Sequence, residues 1–373
     1  MSWPQATLGD IFEISSSKRV LKKQWAESGV PFYRAREIVK LAEHGIVDND
    51  LFISEELFDE YRNKYGAPEP GDLMVSAVGT LGACYVVQPN DRFYYKDASV
   101  LRFHPSEEVE PRYIQHAFRT RLLLDQVNSG SGSTVGTFTI SRAKKTKIPL
   151  PPLAEQKRIA AILDAADKLR AKRREAIAQL DTLFQSTFLD MFGDPVTNPM
   201  GWKRQNLMAV FNFTTGKLDS NAAVEGGKYP FFTCARETYS IDEFAFDQEA
   251  LLLAGNNANA DYSVKYFSGK FNAYQRTYVI QVDEKILEYE YSRWCLEYLL
   301  TDLKRLSKGS NTKYLTMTIL NRMSILLPPV KLQRKFAVVA AKINSNKDDM
   351  LKHVGELNTL FSSLQQRAFN GML

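Results

Sequence analysis

The sequence predicts an α+β protein built as a tandem repeat, in which two globular α+β units alternate with two long helices. Two observations support this prediction: a helical segment that occurs twice at a fixed spacing, and short β-type runs with turn signals before each copy. A chain of 373 residues is also too long for one ordinary core. We predict globular units at residues 1–150 and 194–327, a central helix at 151–193 and a C-terminal helix at 328–373.

Each predicted long helix starts at a Pro-Pro pair, a good helix start because proline lacks the donor that the first turn leaves unpaired. Pro151 and Pro328 lie 177 positions apart. At that offset the copies share Gln156 with Gln333, Leu180 with Leu357, Leu183-Phe184 with Leu360-Phe361, and Phe192 with Phe369. Apolar residues recur at three-and-four spacing, so each helix has a narrow apolar stripe that needs a partner. We expect the copies to pair as an antiparallel coiled coil with a pseudo-two-fold internal repeat.

The first globular unit shows β-type runs at 73–75, 84–87 and 99–103 between glycine and proline turns, and residues 111–127 look helical. A proline-containing linker at 194–201 precedes the second unit, which echoes the first. The repeat offset is 199 at the two Trp-led openings, 178 from Leu73 and Leu251, and 177 by Gly132 and Gly309. The second unit therefore lacks about twenty residues that the first has around the acidic stretch 43–60.

Several function classes find no support in the sequence. We find no signal peptide and no apolar run long enough to span a membrane, so a cytoplasmic location is expected. The three cysteines and four histidines are scattered, which predicts reduced cysteines and no metal site. Phosphate-binding and dinucleotide-binding glycine motifs are missing, as is the Asn/Asp-Pro-Pro-aromatic tetrad of amino-group methyltransferases. These absences predict a binding protein, with any associated chemistry carried out by other proteins.

The net charge of +5 is slight, but the charges segregate within each unit. Basic residues dominate 112–147 and 304–322, and each window encloses a small polar loop rich in glycine and serine. Such loops bring backbone amides close to phosphate, and basic faces bind it with salt-sensitive affinity. Forked side chains such as arginine, asparagine and glutamine can read base edges. The candidate DNA-binding residues are Lys18, Arg19, Arg34, Arg36, Ser131, Ser133, Thr134, Arg142, Lys144, Lys145, Lys217, Arg236, Asn256, Asn257, Asn259, Gln275, Arg276, Lys308, Ser310, Asn311 and Lys313, with Lys22 and Lys23 as further phosphate contacts.

Purely structural interpretations of these features remain open at this point. The basic windows also suit solvated helix faces, the loops suit plain connections, and each candidate suits an ordinary surface or turn position.

The chain resembles the DNA-specificity subunits of type I restriction-modification enzymes over essentially its whole length. The resemblance is carried by IPLPPLAEQKRIAAILDAADKL from Ile148, its weaker repeat ILLPPVKLQRKFAVVAAKI from Ile325, the G-S-T and G-S-N-T loops before them, and the Trp-led openings. The second copy departs from the pattern at Lys331-Leu332-Gln333, where the first has Ala154-Glu155-Gln156. That lost glutamate puts in doubt any role for it in subunit contact at that end.

The resemblance implies two target recognition domains, each reading one half of an asymmetric two-part DNA site. The helices would set the spacer and carry two adenine methyltransferase subunits, which bring S-adenosylmethionine. Restriction and translocase subunits with ATP and Mg²⁺ would join for cleavage, and each target adenine would leave the base stack for methylation. The chain itself would have no catalytic residue, cofactor or metal. Two alternatives stay open: a coiled-coil interaction scaffold without DNA specificity, and a nuclease that uses the acidic stretch 43–60.

Overall fold

The computed structural model describes residues 3–129, 136–256, 262–306 and 314–373, without side-chain detail at 302–306. The first half contains strands β1 (Gln5–Thr7), β2 (Phe12–Ser15), β3 (Trp25–Ala26), β4 (Val30–Tyr33), β5 (Phe52–Ile53), β6 (Leu73–Ser76), β7 (Cys84–Val86), β8 (Tyr94–Tyr95), β9 (Val100–Pro105) and β10 (Lys147–Pro149). Its helices are α1 (Leu8–Ile11), α2 (Ala35–His44), α3 (Glu55–Tyr65), α4 (Pro111–Ala117), α5 (Arg121–Asn128) and α6 (Ile140–Lys145), followed by the long helix α7 (Leu153–Phe192).

The second half contains strands β11 (Lys203–Asn206), β12 (Phe211–Thr215), β13 (Tyr229–Phe232), β14 (Tyr239–Ile241), β15 (Phe246–Ala254), β16 (Val264–Ala273), β17 (Thr277–Val282) and β18 (Ser324–Leu327). Its helices are α8 (Leu207–Val210), α9 (Tyr289–Leu306), α10 (Met317–Leu320) and the second long helix α11 (Val330–Phe369). This mixed content with two 40-residue helices confirms the predicted fold class.

The chain forms two compact units, and each long helix contributes to both. Unit 1 comprises residues 1–173 and 353–373, and unit 2 comprises residues 174–352. Each unit therefore contains one globular region and a segment of each long helix.

The main sheets of the two units share part of their strand arrangement, although unit 1 divides it between two four-stranded sheets and unit 2 joins it in one six-stranded sheet. In unit 1, β2, β9, β6 and β7 form one sheet, and β4 pairs in parallel with β8 in another. In unit 2, β12, β17 and β15 repeat the first arrangement, and β13 pairs in parallel with β16. Unit 1 has α2, β5 and α3 where unit 2 has only β14, which accounts for the predicted extra residues around the acidic stretch.

Within each unit the two long helices run antiparallel. In unit 1, Arg170 on α7 donates to Asn358 on α11 over 2.8 Å, and its guanidinium lies 4.4 Å from the Phe361 ring centre. In unit 2, Lys347 on α11 forms an ion pair with Asp181 on α7. The repeat offset relates Arg170 to Lys347 and Asp181 to Asn358, so one polar helix contact occurs in both units with exchanged helices.

The helix ends follow from local sequence. The amides of Glu155 and Gln156 bond the Pro152 carbonyl at 2.8 and 3.0 Å, so the Pro-Pro pair immediately precedes the first turn of α7. Gly193 ends α7 with φ of +74°, a conformation that glycine adopts without strain. A Cβ on Gly193 would also lie 2.7 Å from the Pro199 ring, where the linker folds back.

The predicted single helix at 111–127 is broken into α4 and α5. Thr120 is extended, with φ of −90° and ψ of 151°, and its hydroxyl bonds the Ala117 carbonyl at 2.6 Å. The break lets Leu123 and Val127 join the core that already holds Tyr113 and Ile114. Propensity could not foresee it, because tertiary packing decides the break.

A buried glutamine joins each long helix to its globular unit. The Gln156 amide group donates to the carbonyls of Glu108 (3.1 Å) and Pro151 (2.9 Å), and its Oε1 accepts from the Glu110 amide (3.0 Å). Gln333 makes the equivalent bonds in unit 2, to Ile286, Pro328 and Glu288. The match between the two glutamines thus reflects one structural requirement met twice.

Replacing either glutamine by leucine is expected to lower the free energy of unfolding by about 1–3 kcal/mol, because a buried amide and carbonyls lose their partners. Urea unfolding of Gln156→Leu and Gln333→Leu measures this. The control is Gln185→Leu at an exposed position of α7, where a change within about 0.5 kcal/mol is expected. Equal, small effects at all three positions would contradict the assignment.

Cys84 and Cys295 are buried and unpaired, and burial raises the pKa of the Cys295 thiol to about 12. Within the described ranges, no helix combines the length and the apolar character needed to cross a lipid bilayer. The same residues include no group of three or more His, Cys, Asp or Glu side chains arranged to hold a metal ion.

Candidate nucleic-acid interface

In unit 1, the turn from β8 to β9 crosses the end of β6. The Lys96 amide bonds the Tyr33 carbonyl at 2.8 Å, and the Ser99 carbonyl accepts from the Ala77 amide at 2.9 Å. Ala98 at the tip has φ of +57°, an uncommon value for a residue with a Cβ. The turn is therefore fixed at both ends, and the Ala98 amide at its tip donates to the Ser16 hydroxyl at 3.1 Å.

Unit 2 has the equivalent turn between β16 and β17. The Tyr274 amide bonds the Phe232 carbonyl and the Gly255 amide bonds the Arg276 carbonyl, both at 2.9 Å. The Thr277 amide closes the turn on the Tyr274 carbonyl at 2.8 Å. A Cβ on Gly255 would lie 2.6 Å from the Arg276 carbonyl oxygen, so glycine permits this close approach.

The two turns differ by one residue. Strand pairing relates Tyr95 to Ala273 at an offset of 178, and Val100 to Thr277 at an offset of 177. The extra residue of unit 1 thus lies between 96 and 99, and Ser99 occupies the backbone position of Arg276. We call these segments, 96–99 and 274–276, the edge turns.

Basic side chains surround the edge turn of unit 1. Two adjoining depressions share Val78, Lys96 and Ser99 in their linings. Their walls carry six cationic side chains against one carboxylate, Asp97: the six are Arg19, Lys22, Arg34, Arg36, Lys40 and Lys96. This basic groove is suited to a polyanion.

The cations of the basic groove differ in their partners. Arg34 and Arg36 both contact Glu37 and Asp50, at 2.7–3.0 Å. Burial opposes ionisation of Glu37, but hydrogen bonds from the two arginines outweigh it and lower the pKa of the carboxyl. In the described part of the chain no carboxylate forms an ion pair with Lys22, Lys40 or Lys96. These three lysines are the free charges of the groove.

Arg19 of the groove and its neighbour Lys18 complete the candidates of unit 1 in this region. The exposed Arg19 pairs with Asp97 at 2.8 Å. The Lys18 ammonium lies 5.4 Å from the Tyr65 ring centre, and its amide bonds the Tyr94 hydroxyl at 3.1 Å.

Arg142 is engaged within unit 1. Its guanidinium donates to the carbonyls of Thr137 and Val127, both at 2.7 Å, and to that of Ser129. These carbonyls flank the predicted Gly-Ser loop, so Arg142 ties the loop ends together and has little capacity left for phosphate. Lys144 and Lys145 are exposed on α6. Elsewhere in the basic window, Arg119 pairs with Asp167 of α7 at 2.6 Å.

In unit 2, the predicted residues gather at the edge turn. Gln275 and Arg276 are exposed on it, and Asn256 forms an isolated β-bridge with Tyr314 beside it. Gln275, Arg276 and Tyr314 line one depression with Thr215 and Met317. Lys217 is exposed two residues beyond β12, at the repeat position of Lys18, and Arg236 is also exposed.

The remaining candidates lie outside the described residues: Ser131, Ser133, Thr134, Asn257, Asn259, Lys308, Ser310, Asn311 and Lys313. Their proposed DNA contacts stay predictions. Sequence reasoning missed Lys40, Lys96, Ser99 and Tyr314. The sequence did contain one signal for the edge turns, because the repeat offset changes from 178 to 177 between residues 73 and 132.

Comparison with known proteins gives consistent matches. The family model "Type I restriction modification DNA specificity domain" matches residues 2–179 and 199–347. The specificity subunit of the type I restriction enzyme EcoDI from Escherichia coli is 38% identical over 153 residues, 40% of this chain and 33% of that protein. A putative type I restriction enzyme specificity subunit of Haemophilus influenzae is 35% identical over 164 residues, 43% of this chain and 40% of that protein. These matches thus span two fifths or less of either relative.

Solved structures support the same fold. The type I restriction-modification S subunit from M. genitalium superposes with a TM-score of 0.65 and 17% identity, over 99% of this chain and 96% of that one. A chain from a study of complex assembly in the type I restriction-modification system gives a TM-score of 0.56 with 20% identity, covering 100% and 98%.

Proposed function

Because the chain belongs to the type I restriction modification DNA specificity family, we propose that it is the subunit that selects the DNA site of such a complex. Family membership implies a non-catalytic role. We assign one half of an asymmetric, two-part site to each unit. S-adenosylmethionine, ATP and Mg²⁺ then belong to the partner subunits that methylate, translocate and cleave.

One observation carries this proposal above all: the two units present equivalent edge turns, one residue different in length, with different side chains. Unit 1 has Ser99 within a basic groove, and unit 2 has Arg276 at the same backbone position. A common backbone placed on DNA with different donors favours different bases in the two half-sites. Affinity then comes from phosphate contacts and selectivity from the edge turns.

The long helices supply a surface for the partner subunits. Residues 180–186, LDTLFQS, match residues 357–363, LNTLFSS, at five of seven positions, although most of the two helices has diverged. Phe184 and Phe361 of these segments are buried, but Leu183 and Leu360 are 50% and 52% exposed. Burial explains the shared phenylalanines and leaves the shared leucines unexplained. Two copies of one partner, the methyltransferase subunit, would require the same exposed surface twice.

Changing Leu183 or Leu360 to glutamate is expected to remove one methyltransferase subunit from the complex, and changing both is expected to remove two. A charge in the buried centre of an interface costs several kcal/mol, enough to disrupt assembly at micromolar concentration. Mass measurement of the reconstituted complex gives the stoichiometry.

Leu169→Glu and Leu351→Glu are the matched controls for this experiment. These leucines are 57% and 50% exposed on the same helices, but their repeat positions hold Asn346 and Arg174. The controls are expected to assemble normally. If all four variants behaved alike, the repeated surface would have no special role in docking.

DNA affinity of the assembled complex tests the proposed function against the scaffold alternative. Phosphate contacts by the basic groove require that affinity falls steeply with salt. Base contacts by the edge turns require that one duplex sequence is preferred. A complex that assembled fully yet bound no duplex preferentially at any salt concentration would favour the scaffold.

A further inference from the structure

The edge turns hold one backbone position in the same hydrogen-bond frame in both units. The carbonyl of that residue accepts an amide from the strand end it crosses, Ala77 for Ser99 and Gly255 for Arg276, at 2.9 Å in each case. In unit 2 the Gln275 amide also bonds the Leu218 carbonyl at 2.9 Å. The backbone under Arg276 is therefore held by three neighbouring segments, 218, 255 and 274–277.

The Arg276 side chain, by contrast, has N–H donors available for a ligand. It is exposed, and no carboxylate of the described residues lies within ion-pair distance of it. Its guanidinium carbon lies 5.8 Å from the centre of the Tyr314 ring, a contact that orients the group without using its N–H donors. Arg34, Arg36 and Arg142 all differ, because carboxylates or carbonyls already occupy their donors.

The N–H donors of the Arg276 guanidinium match the major-groove edge of one base in particular. A guanidinium presents two parallel N–H donors, and guanine presents the acceptors O6 and N7 side by side in the major groove. A rigid turn that carries an oriented arginine loses little conformational freedom on binding. The serine at the same place in unit 1 has one short hydroxyl and cannot form this paired contact.

We propose that Arg276 reads a guanine in the half-site of unit 2, and that the difference between Ser99 and Arg276 is one origin of the asymmetry of the whole site. This inference rests on the proposed function and deepens it by naming a specificity-determining residue. It assigns Arg276 to a base edge and not to a phosphate.

The test uses the complex with its methyltransferase subunits and a panel of duplexes, each with one base pair of the wild-type site changed. We expect the wild-type complex to reject a change at one G·C pair by about 5- to 150-fold. Arg276→Lys keeps the charge but loses the planar pair of donors, so discrimination at that base pair is expected to fall only in part, because an ammonium can still donate to guanine. Discrimination at every other position, including the whole of the other half-site, is expected to stay unchanged. Arg276→Ala should relax the same single position.

Arg322 provides the control, because it is an exposed arginine of unit 2 away from the edge turn. Arg322→Lys and Arg322→Ala are expected to leave discrimination unchanged at all positions. If Arg276→Ala weakened binding to all duplexes equally, or left discrimination unchanged at every position, Arg276 would contact phosphate or nothing, and the inference would fall. The proposed function would survive that result, since it fails only if the wild-type complex prefers no sequence.

Discussion

Inserting one heptad into both long helices, after Arg173 and after Lys352, is expected to lengthen the unread spacer of the DNA site by about three base pairs. These points are the boundaries between the two units on α7 and α11. Seven residues add about 10.5 Å to a helix. Because they make nearly two full turns, each helix keeps almost the same face toward its partner. A base pair of B-DNA rises about 3.4 Å. Both half-sites should remain the same, because neither globular region changes.

The wild-type site should then lose its methylation almost entirely, while a site with the longer spacer gains it. A methylation map of cells that express the double insertion measures both changes. Insertion into α7 alone is the control. It should abolish methylation of both the wild-type site and the longer site, because the pairing of α7 with α11 would shift by two turns in one unit. New half-sites with the old spacing would contradict the role of the helices as a spacer.

Replacing Lys22, Lys40 and Lys96 together by alanine is expected to weaken DNA binding of the assembled complex by about 100-fold at moderate salt. These lysines line the basic groove and have no carboxylate partner among the described residues. If each contacts one phosphate, the slope of log affinity against log salt should become shallower by about 2.7. Preference among duplex sequences should be retained, since phosphate contacts carry no base information.

A triple variant of Lys203, Lys228 and Lys285 to alanine provides the matched control. It changes the net charge equally at exposed positions of unit 2 that line none of these depressions. Its affinity is expected to fall by less than about threefold. Equal losses in the two variants would mean that only net charge matters and that the basic groove is no specific surface.

The architecture was largely readable from the sequence because it rests on local and repeated signals. Pro-Pro starts, three-and-four apolar spacing and a constant offset act within one helix or between two copies. Long helices were therefore predicted at 151–193 and 328–373, and α7 and α11 lie within those ranges. The break at Thr120 and the parallel pairing of β4 with β8 depend on distant partners, Leu123 against the core and Phe32 beside Tyr94. No short window of sequence contains that information.

The candidate site was only partly readable for the same reason. Sequence counts Arg34, Arg36 and Arg142 as free positive charges, but the fold supplies Glu37, Asp50 and four backbone carbonyls to them. Conversely, Lys40 and Lys96 looked like ordinary surface residues until the fold brought them to one groove. Arg276 was predicted as a possible base reader from its type alone, and the edge turn gives it a position and a counterpart in Ser99.

The most direct test of this account is a genome-wide adenine methylation map of the source cell, with and without this gene. One two-part motif with fixed spacing should be methylated in the parent and unmethylated in the deletion, and the gene supplied in trans should restore it. That result gives both half-sites at once. A parent whose two-part motifs all stay methylated after deletion, in a cell with an active methyltransferase partner, would contradict the claim that this chain selects the DNA site.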